Sequence, residues 1–243
     1  MKKLSLFILF ISLFQSSLLS NDAWFEVEIK DPFSNDTIKA YDVKSFNSSV
    51  YNSPSKYDGI FWPFIDEKFL VYNPKNGYIN FYPEFQTISK DKKSKVEKYL
   101  KAHFKPSSNV LSHLEKIVWW GKVHQIDSES LEKQIAHYCL LAYLSRFDET
   151  LNASYQKKSL ALILKQLPTL KPSFIKARLY LVCGHYYQAL NDKLNSEKYF
   201  ELATNSDLGK ESRNNIRKYR NYLEGTIADL KSGKYKEDYL KKL

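Results

Sequence analysis

The sequence predicts an α+β chain, in which a small β-rich N-terminal unit is fused to a C-terminal antiparallel helical bundle. Three observations lead there. Between residues 24 and 88 the apolar positions alternate or come in short β-branched and aromatic runs, broken by turn residues. From about Lys90 onward the apolar period changes to that of a helix. The composition, 43% hydrophobic and 26% charged, is that of an ordinary folded protein, and seven glycines and eight prolines leave little room for long flexible linkers. The expected organisation is an export signal over 1–20, the β-rich unit over 21–88, connecting helices over 89–128, a helical domain over 129–232 and a basic tail over 233–243.

The first element reads as an export signal. Lys2 and Lys3 precede the apolar run LSLFILFISLF (Leu4–Phe14), and QSSLLS follows, ending in a small residue before Asn21. The run is short for a membrane span and charged on one side only. Cleavage is expected near Ser20, with Ala23 as a second choice and retention as an anchor left open. No cysteine sits near the cut, so lipidation is not expected. The signal places the chain in the periplasm or outside a bacterial cell, with no membrane span left after cleavage. Its removal takes two lysines and lowers the net charge from +10 to +8. A basic protein can attract nucleic acid or anionic lipid, but an exported one is not expected to meet nucleic acid.

The strand-like segments follow: WFEVEIK, TIKAYDVKSF, FLVYN and YINFY. SSVYNSPSKYDG (Ser48–Gly59) has the composition of a loop. Tyr57, Phe61, Trp62, Phe64, Phe69 and Tyr72 form a dense aromatic cluster, each ring contributing about 2 to 3 kcal/mol if buried. SKDKKSKVEKYLKAHFK (Ser89–Lys105) is helical, with Val96, Leu100 and Phe104 on one face and lysines on the others. That pattern reads as a solvated face rather than a lipid-binding one.

The remaining helices are set by their stripes. Leu111, Leu114 and Val118 share one face, and Leu131, Ile135, Cys139 and Ala142 another. Leu160, Ile163, Leu164 and Leu167 form a third, ended by Pro168. Ile216, Tyr219, Leu223, Ile227 and Leu230 form the last. Each stripe needs a covering neighbour, which argues for stacked antiparallel helices. Cys139 and Cys183 are the only cysteines. An exported chain can pair them in a disulfide, but both fall on apolar stripes, which favours two buried free thiols.

Two turns in the β-rich half share one form. KDPFSND (Lys30–Asp36) and VYNPKNGY (Val71–Tyr78) each contain X-Pro-x-X between strand-like residues. Zinc knuckles place cysteine at both X positions. Here those places are Asp31, Ser34, Asn73 and Asn76. Asp, Ser and Asn side chains accept the same backbone N–H groups that a knuckle thiolate accepts, without a metal. Gly77 supplies tolerance of positive φ. A hard-metal site from this set would carry a single charge and is not favoured. No metal and no other cofactor is expected.

With Phe61-Trp62-Pro63, Gly77-Tyr78 and Glu84-Phe85, these turns make the chain similar to a bacterial family of unknown function. That family has paired rubredoxin-like Cys-Pro-x-Cys knuckles and a repeat-like helical half. The resemblance spans roughly residues 24–205 and implies a zinc-ribbon-like unit. All four cysteines are replaced, so it implies a ribbon that has lost its metal. Structural zinc contributes about 10 to 16 kcal/mol in small domains. The expectation is therefore that aromatic packing on the helical half compensates and that the two halves form one body.

Ala177–Ala203 resembles a tetratricopeptide repeat. Tyr180, Cys183, Gly184 and Tyr187 occupy its first-helix places, Ser196, Phe200 and Ala203 those of the second, and Asn191-Asp192 the turn. Gly184 and Ser196 are small so that the helices approach, with the rings filling the space beside them. Leu208 stands where proline is common. Helices at 129–147 and 157–167 would form a degenerate repeat before this one, and 210–231 a cap. The resemblance implies a ligand groove lined by Arg178, Leu181, His185, Gln188 and Ala189, with Arg178 and His185 placed to hold a carboxylate.

Other constellations are weaker. His137-Tyr138-Cys139 and Cys183-Gly184-His185 put histidine and cysteine on opposed sides of a helix, so buried cysteines and outward histidines are expected. His103, His113 and His124 are scattered. Trp119-Trp120 is expected to pack between helices rather than stack on a sugar. The expected function is therefore a non-enzymatic protein-binding or assembly protein of the cell envelope. An envelope glycan binder using the 57–72 cluster is the first alternative and an unrecognised hydrolase the second.

Overall fold

The computed structural model describes residues 24–43, 69–210 and 212–233. The export signal, the loop 48–59, the rings at 57, 61, 62 and 64, and the tail after Gly233 lie outside the described residues. The chain is α+β, with two small antiparallel sheets followed by a mostly helical C-terminal part.

Strands β1 (Trp24–Lys30) and β2 (Thr37–Val43) pair in the register Ile29↔Ile38 and Val27↔Ala40. The predicted alternation holds: Ile29 and Ala40 are buried, while Glu26, Glu28 and Lys39 face solvent. Strands β3 (Leu70–Tyr72) and β4 (Ile79–Phe81) form the second hairpin, with Val71 opposite Asn80. YINFY does not continue as a strand, because its last residue, Tyr82, opens the one-turn helix α1 (Tyr82–Phe85), which carries a proline in its first turn.

Seven longer helices follow: α2 (Lys90–His103), α3 (His113–Val123), α4 (Leu131–Leu144), α5 (Glu149–Gln166), α6 (Phe174–Ala189), α7 (Lys193–Thr204) and α8 (Arg213–Ser232). Several begin at a side chain that accepts a first-turn N–H: Ser112 in a capping box with Glu115, then Asp148, Ser173, Asp192 and Ser212.

Three apolar clusters explain the stacking. The first joins both hairpins to α2, α3 and one face of α4, through Ile29, Val71, Ile79, Phe85, Leu100, Ile117 and Leu141. The β unit therefore has no core separate from the helices. The second joins the other face of α4 to α5 and α6, through Cys139, Ile163 and Val182. The third joins the far face of α6 to α7 and α8, through Leu181, Phe200, Leu223 and Leu230. Helices α4 and α6 are thus covered on two sides.

The α6–α7 pair packs at close range for the reason its small residues suggested. A Cβ on Gly184 would lie 2.4 Å from the Phe200 ring. Ser196 Oγ donates to the Gly184 carbonyl at 2.9 Å, and Tyr187 stacks on Tyr199 at 5.4 Å. Cys139 and Cys183 are both buried free thiols rather than a disulfide.

Candidate functional site

The two X-Pro-x-X turns have the same backbone. In each, the first residue's N–H donates to the carbonyl five residues on: Asp31 to Asp36 at 2.9 Å and Asn73 to Tyr78 at 2.8 Å. Its own carbonyl accepts from the residue four on: Asn35 at 3.0 Å and Gly77 at 2.8 Å. Those fourth residues both take positive φ, 62° at Asn35 and 78° at Gly77.

All four X side chains accept an N–H from two residues ahead. Asp31 Oδ1 accepts from Phe33 at 2.6 Å and also from Ser34 at 3.0 Å. Asn73 Oδ1 accepts from Lys75 at 2.9 Å. Ser34 Oγ accepts from Asp36 at 3.4 Å, and Asn76 Oδ1 from Tyr78 at 2.9 Å. These are Asx- and Ser-turn bonds, and they give two copies of one loop geometry.

The copies face each other across Asp31. Its Oδ2 accepts from Asn73 Nδ2 at 2.7 Å and from Asn76 Nδ2 at 3.1 Å. Asp31 is 1% exposed and Asn73 2%. One carboxylate thus takes four N–H donors, two from its own turn and two from the other. A buried anion needs such compensation. Among the described residues no group of three or more His, Cys, Asp or Glu side chains is placed to hold a metal ion. The centre is rich in donors, the reverse of what a cation requires.

Helix α3 clamps the second turn. Trp119 Nε1 donates to the Gly77 carbonyl at 2.7 Å, and His124 Nε2 bonds the Ile79 carbonyl at 2.8 Å. Trp120 Nε1 donates to Asn80 Oδ1 at 3.0 Å. The His124 bond requires the proton on Nε2, and burial lowers the pKa of this ring. Trp119 and Trp120 were expected between helices, and they do meet neighbouring ones, Trp119 at Tyr99 of α2 (5.9 Å) and Trp120 at His137 of α4 (5.5 Å); their indole N–H groups in addition find acceptors on the β3–β4 hairpin. Lys93 of α2 donates to the Pro32 carbonyl and lies over the Phe33 ring, fixing the first turn. Tyr78 is fully buried and donates to the Phe85 carbonyl at 3.1 Å. The rings that close this unit are Phe33, Tyr78, Phe85, Trp119 and Trp120. Phe69 and Tyr72 are the two members of the expected cluster among the described residues.

The expected groove on α6 is not open. Leu181 and His185 are buried at 0% and 2% exposure, and Gln188 Nε2 donates to the Leu230 carbonyl at 3.1 Å. Arg178 is half-buried and Ala189 alone is exposed. The cause is α8, which crosses this face and puts Leu223 and Leu230 into the third cluster. The expected outward histidines are corrected too: His137 is covered by Trp120 and Gly121 of α3, and His185 lies in the buried part of α6. His137 on α4 and His185 on α6 both point into packed surroundings, and burial lowers each pKa to about 4. Neither Arg178 nor His185 forms an open carboxylate site.

An open groove does exist one layer out, between α7 and α8. It encloses about 560 Å³ and is lined by Leu194, Phe200 and Ile227, with Glu197, Glu201 and Lys231 among its polar walls. Leu194 is 83% exposed at its mouth. The sequence carried a faint signal for it, an apolar residue in the first turn of α7 away from the Ser196–Phe200–Ala203 stripe. A surface network of Tyr138, Asp127 and Lys158 ties α4 and α5 to the turn at 126–128. Tyr138 donates to Asp127 at 2.6 Å, which holds that carboxyl below its ordinary pKa. No helix among the described residues is long and apolar enough to cross a membrane.

No protein-family model, curated protein or solved structure matches this chain.

Proposed function

We propose that this is an exported, non-enzymatic binding or assembly protein of the bacterial envelope. Its N-terminal unit is a zinc ribbon that has exchanged its metal for a buried carboxylate, and its helical half is a tetratricopeptide-like stack. The ribbon reading is supported by the equivalence of the two turns, bond for bond, at the four places where knuckle cysteines would stand. The repeat reading is supported by the Gly184–Phe200 contact and the Ser196–Gly184 bond.

The observation that carries the binding role is the α7–α8 groove with Leu194 exposed at its mouth. An apolar floor with Glu197, Glu201, Lys198 and Lys231 on the rim suits a short amphipathic helix with charges of both signs at its edges. Photo-crosslinking from position 201 in cell envelopes tests this. Capture of one partner carrying such a segment, lost in Leu194→Asp with the thermal transition retained, is the expected result. Equal capture by Leu194→Asp overturns the groove as the binding site.

A further inference from the structure

Asn76-Gly77 is the single Asn-Gly pair in the sequence. In an unfolded chain such a pair is open to loss of ammonia, because glycine has no side chain to block the approach of its nitrogen to the asparagine Cγ. The Gly77 nitrogen bonds to Cγ and gives up its proton. The Cγ–Nδ2 bond breaks and Nδ2 leaves as ammonia, closing a succinimide ring. Water then opens the ring to aspartate, or to its isomer linked through the side chain. One water is consumed and one ammonia released, and nothing is oxidised or reduced.

In the folded turn the atoms of that reaction are all engaged. Gly77 N donates to the Asn73 carbonyl at 2.8 Å, so the attacking nitrogen keeps its proton. Asn76 Nδ2, the leaving group, donates to Asp31 Oδ2 at 3.1 Å. The buried charge on Asp31 also opposes the negative charge that builds on the Asn76 carbonyl oxygen as the ring closes. Gly77 is itself buried: Phe104 fills the place a Cβ would take, and Trp119 holds the Gly77 carbonyl at 2.7 Å. One bond runs the other way. Tyr78 N donates to Asn76 Oδ1 at 2.9 Å and polarises that carbonyl. It does not decide the outcome, since ring closure still requires Gly77 N to leave Asn73.

We propose that Asn76 is a deamidation site gated by the second turn: it reacts only when that turn opens, and the reaction bars the turn's return. The product sets a second carboxylate where an amide donated to Asp31, and two carboxylates at such a distance do not both stay ionised. The isomer also adds a methylene to the backbone of the turn. The first turn carries Ser34 at the equivalent place and has no such exit. The joint between the two turns is therefore where an opened chain is lost irreversibly.

Peptide mapping by mass spectrometry of the full chain, incubated at neutral pH, tests this. Conversion at Asn76 is expected to be at least about tenfold slower in the folded chain than in the same chain held in urea. Trp119→Phe, which frees the Gly77 carbonyl, should raise the folded rate about fivefold or more, with conversion at Asn205, away from both turns, unchanged. Asn76→Asp, the product made directly, should unfold at a lower urea concentration than the unaltered chain. Equal rates in the folded and the urea-held chain overturn the proposal, as does a folded rate that Trp119→Phe leaves unchanged. An Asn76→Asp chain as stable as the unaltered one overturns the claim that the reaction bars the turn's return.

Discussion

Replacing Asp31 by alanine should be among the most damaging single changes in the β unit. The carboxylate accepts from Phe33 N, Ser34 N, Asn73 Nδ2 and Asn76 Nδ2, at 2.6 to 3.1 Å. A hydrogen bond to a charged group contributes about 1.5 to 3 kcal/mol, and a buried donor left without a partner costs about 1 to 3 kcal/mol. The four are not additive, because the turn N–H groups lie nearer solvent and water can replace the carboxylate there. The two amides from the opposite turn dominate, giving a loss of about 3 to 5 kcal/mol. Asp31→Asn keeps an oxygen for its own turn but sets an amide NH2 against two others, for about 2 to 3 kcal/mol. Urea unfolding at pH 7 measures both, with Trp119 and Trp120 reporting on the turn they clamp. A loss under about 1 kcal/mol for Asp31→Ala would refute the claim that this carboxylate joins the two turns.

Three further outcomes follow from the packing. Gly184→Ala drives a methyl into the Phe200 ring, 2.4 Å away, and should cost about 1 to 3 kcal/mol; Phe200→Leu in the same chain should recover part of it in a thermal melt. Trp119→Phe removes the bond to the Gly77 carbonyl and should cost about 1 to 2 kcal/mol by urea titration. His137 and His185 are held neutral, with pKa about 4 against 6.5 for the unfolded ring. The unfolded chain takes up their protons first, so stability is full above pH 6.5 and falls as pH drops toward 4. The loss is on the order of 3 kcal/mol per histidine. Unfolding titrations between pH 7 and 4.5 should show this slope, and His137→Gln should reduce it.

What was legible in the sequence was local. Asp31, Ser34, Asn73 and Asn76 announce their turns because each side chain bonds an N–H two residues away, and such chemistry needs no knowledge of the rest of the chain. Gly184 and Ser196 were readable because a helix pair records its closest approach in small residues. The facing directions of His137 and His185 were not readable. They depend on α4 and α6 being covered on two sides: α3 closes over His137 through Trp120 and Gly121, and α8 covers α6 from far along the chain. The α6 groove failed for that reason, since only the path of α8 decides whether Leu181 and His185 meet solvent. The helix contacts of Trp119 and Trp120 were readable, but their bonds to the hairpin were not, because the acceptors at Gly77 and Asn80 lie some forty residues away in sequence.

Metal content is the direct test of a carboxylate standing in for a metal. The purified chain, loaded with zinc and desalted, is expected to retain well under one equivalent, and a strong chelator should leave its unfolding midpoint unchanged. The Asp31→Cys, Ser34→Cys, Asn73→Cys, Asn76→Cys variant, kept reduced, is expected to retain one zinc per chain. One equivalent of zinc in the unaltered protein, or unfolding on chelation, would contradict the account.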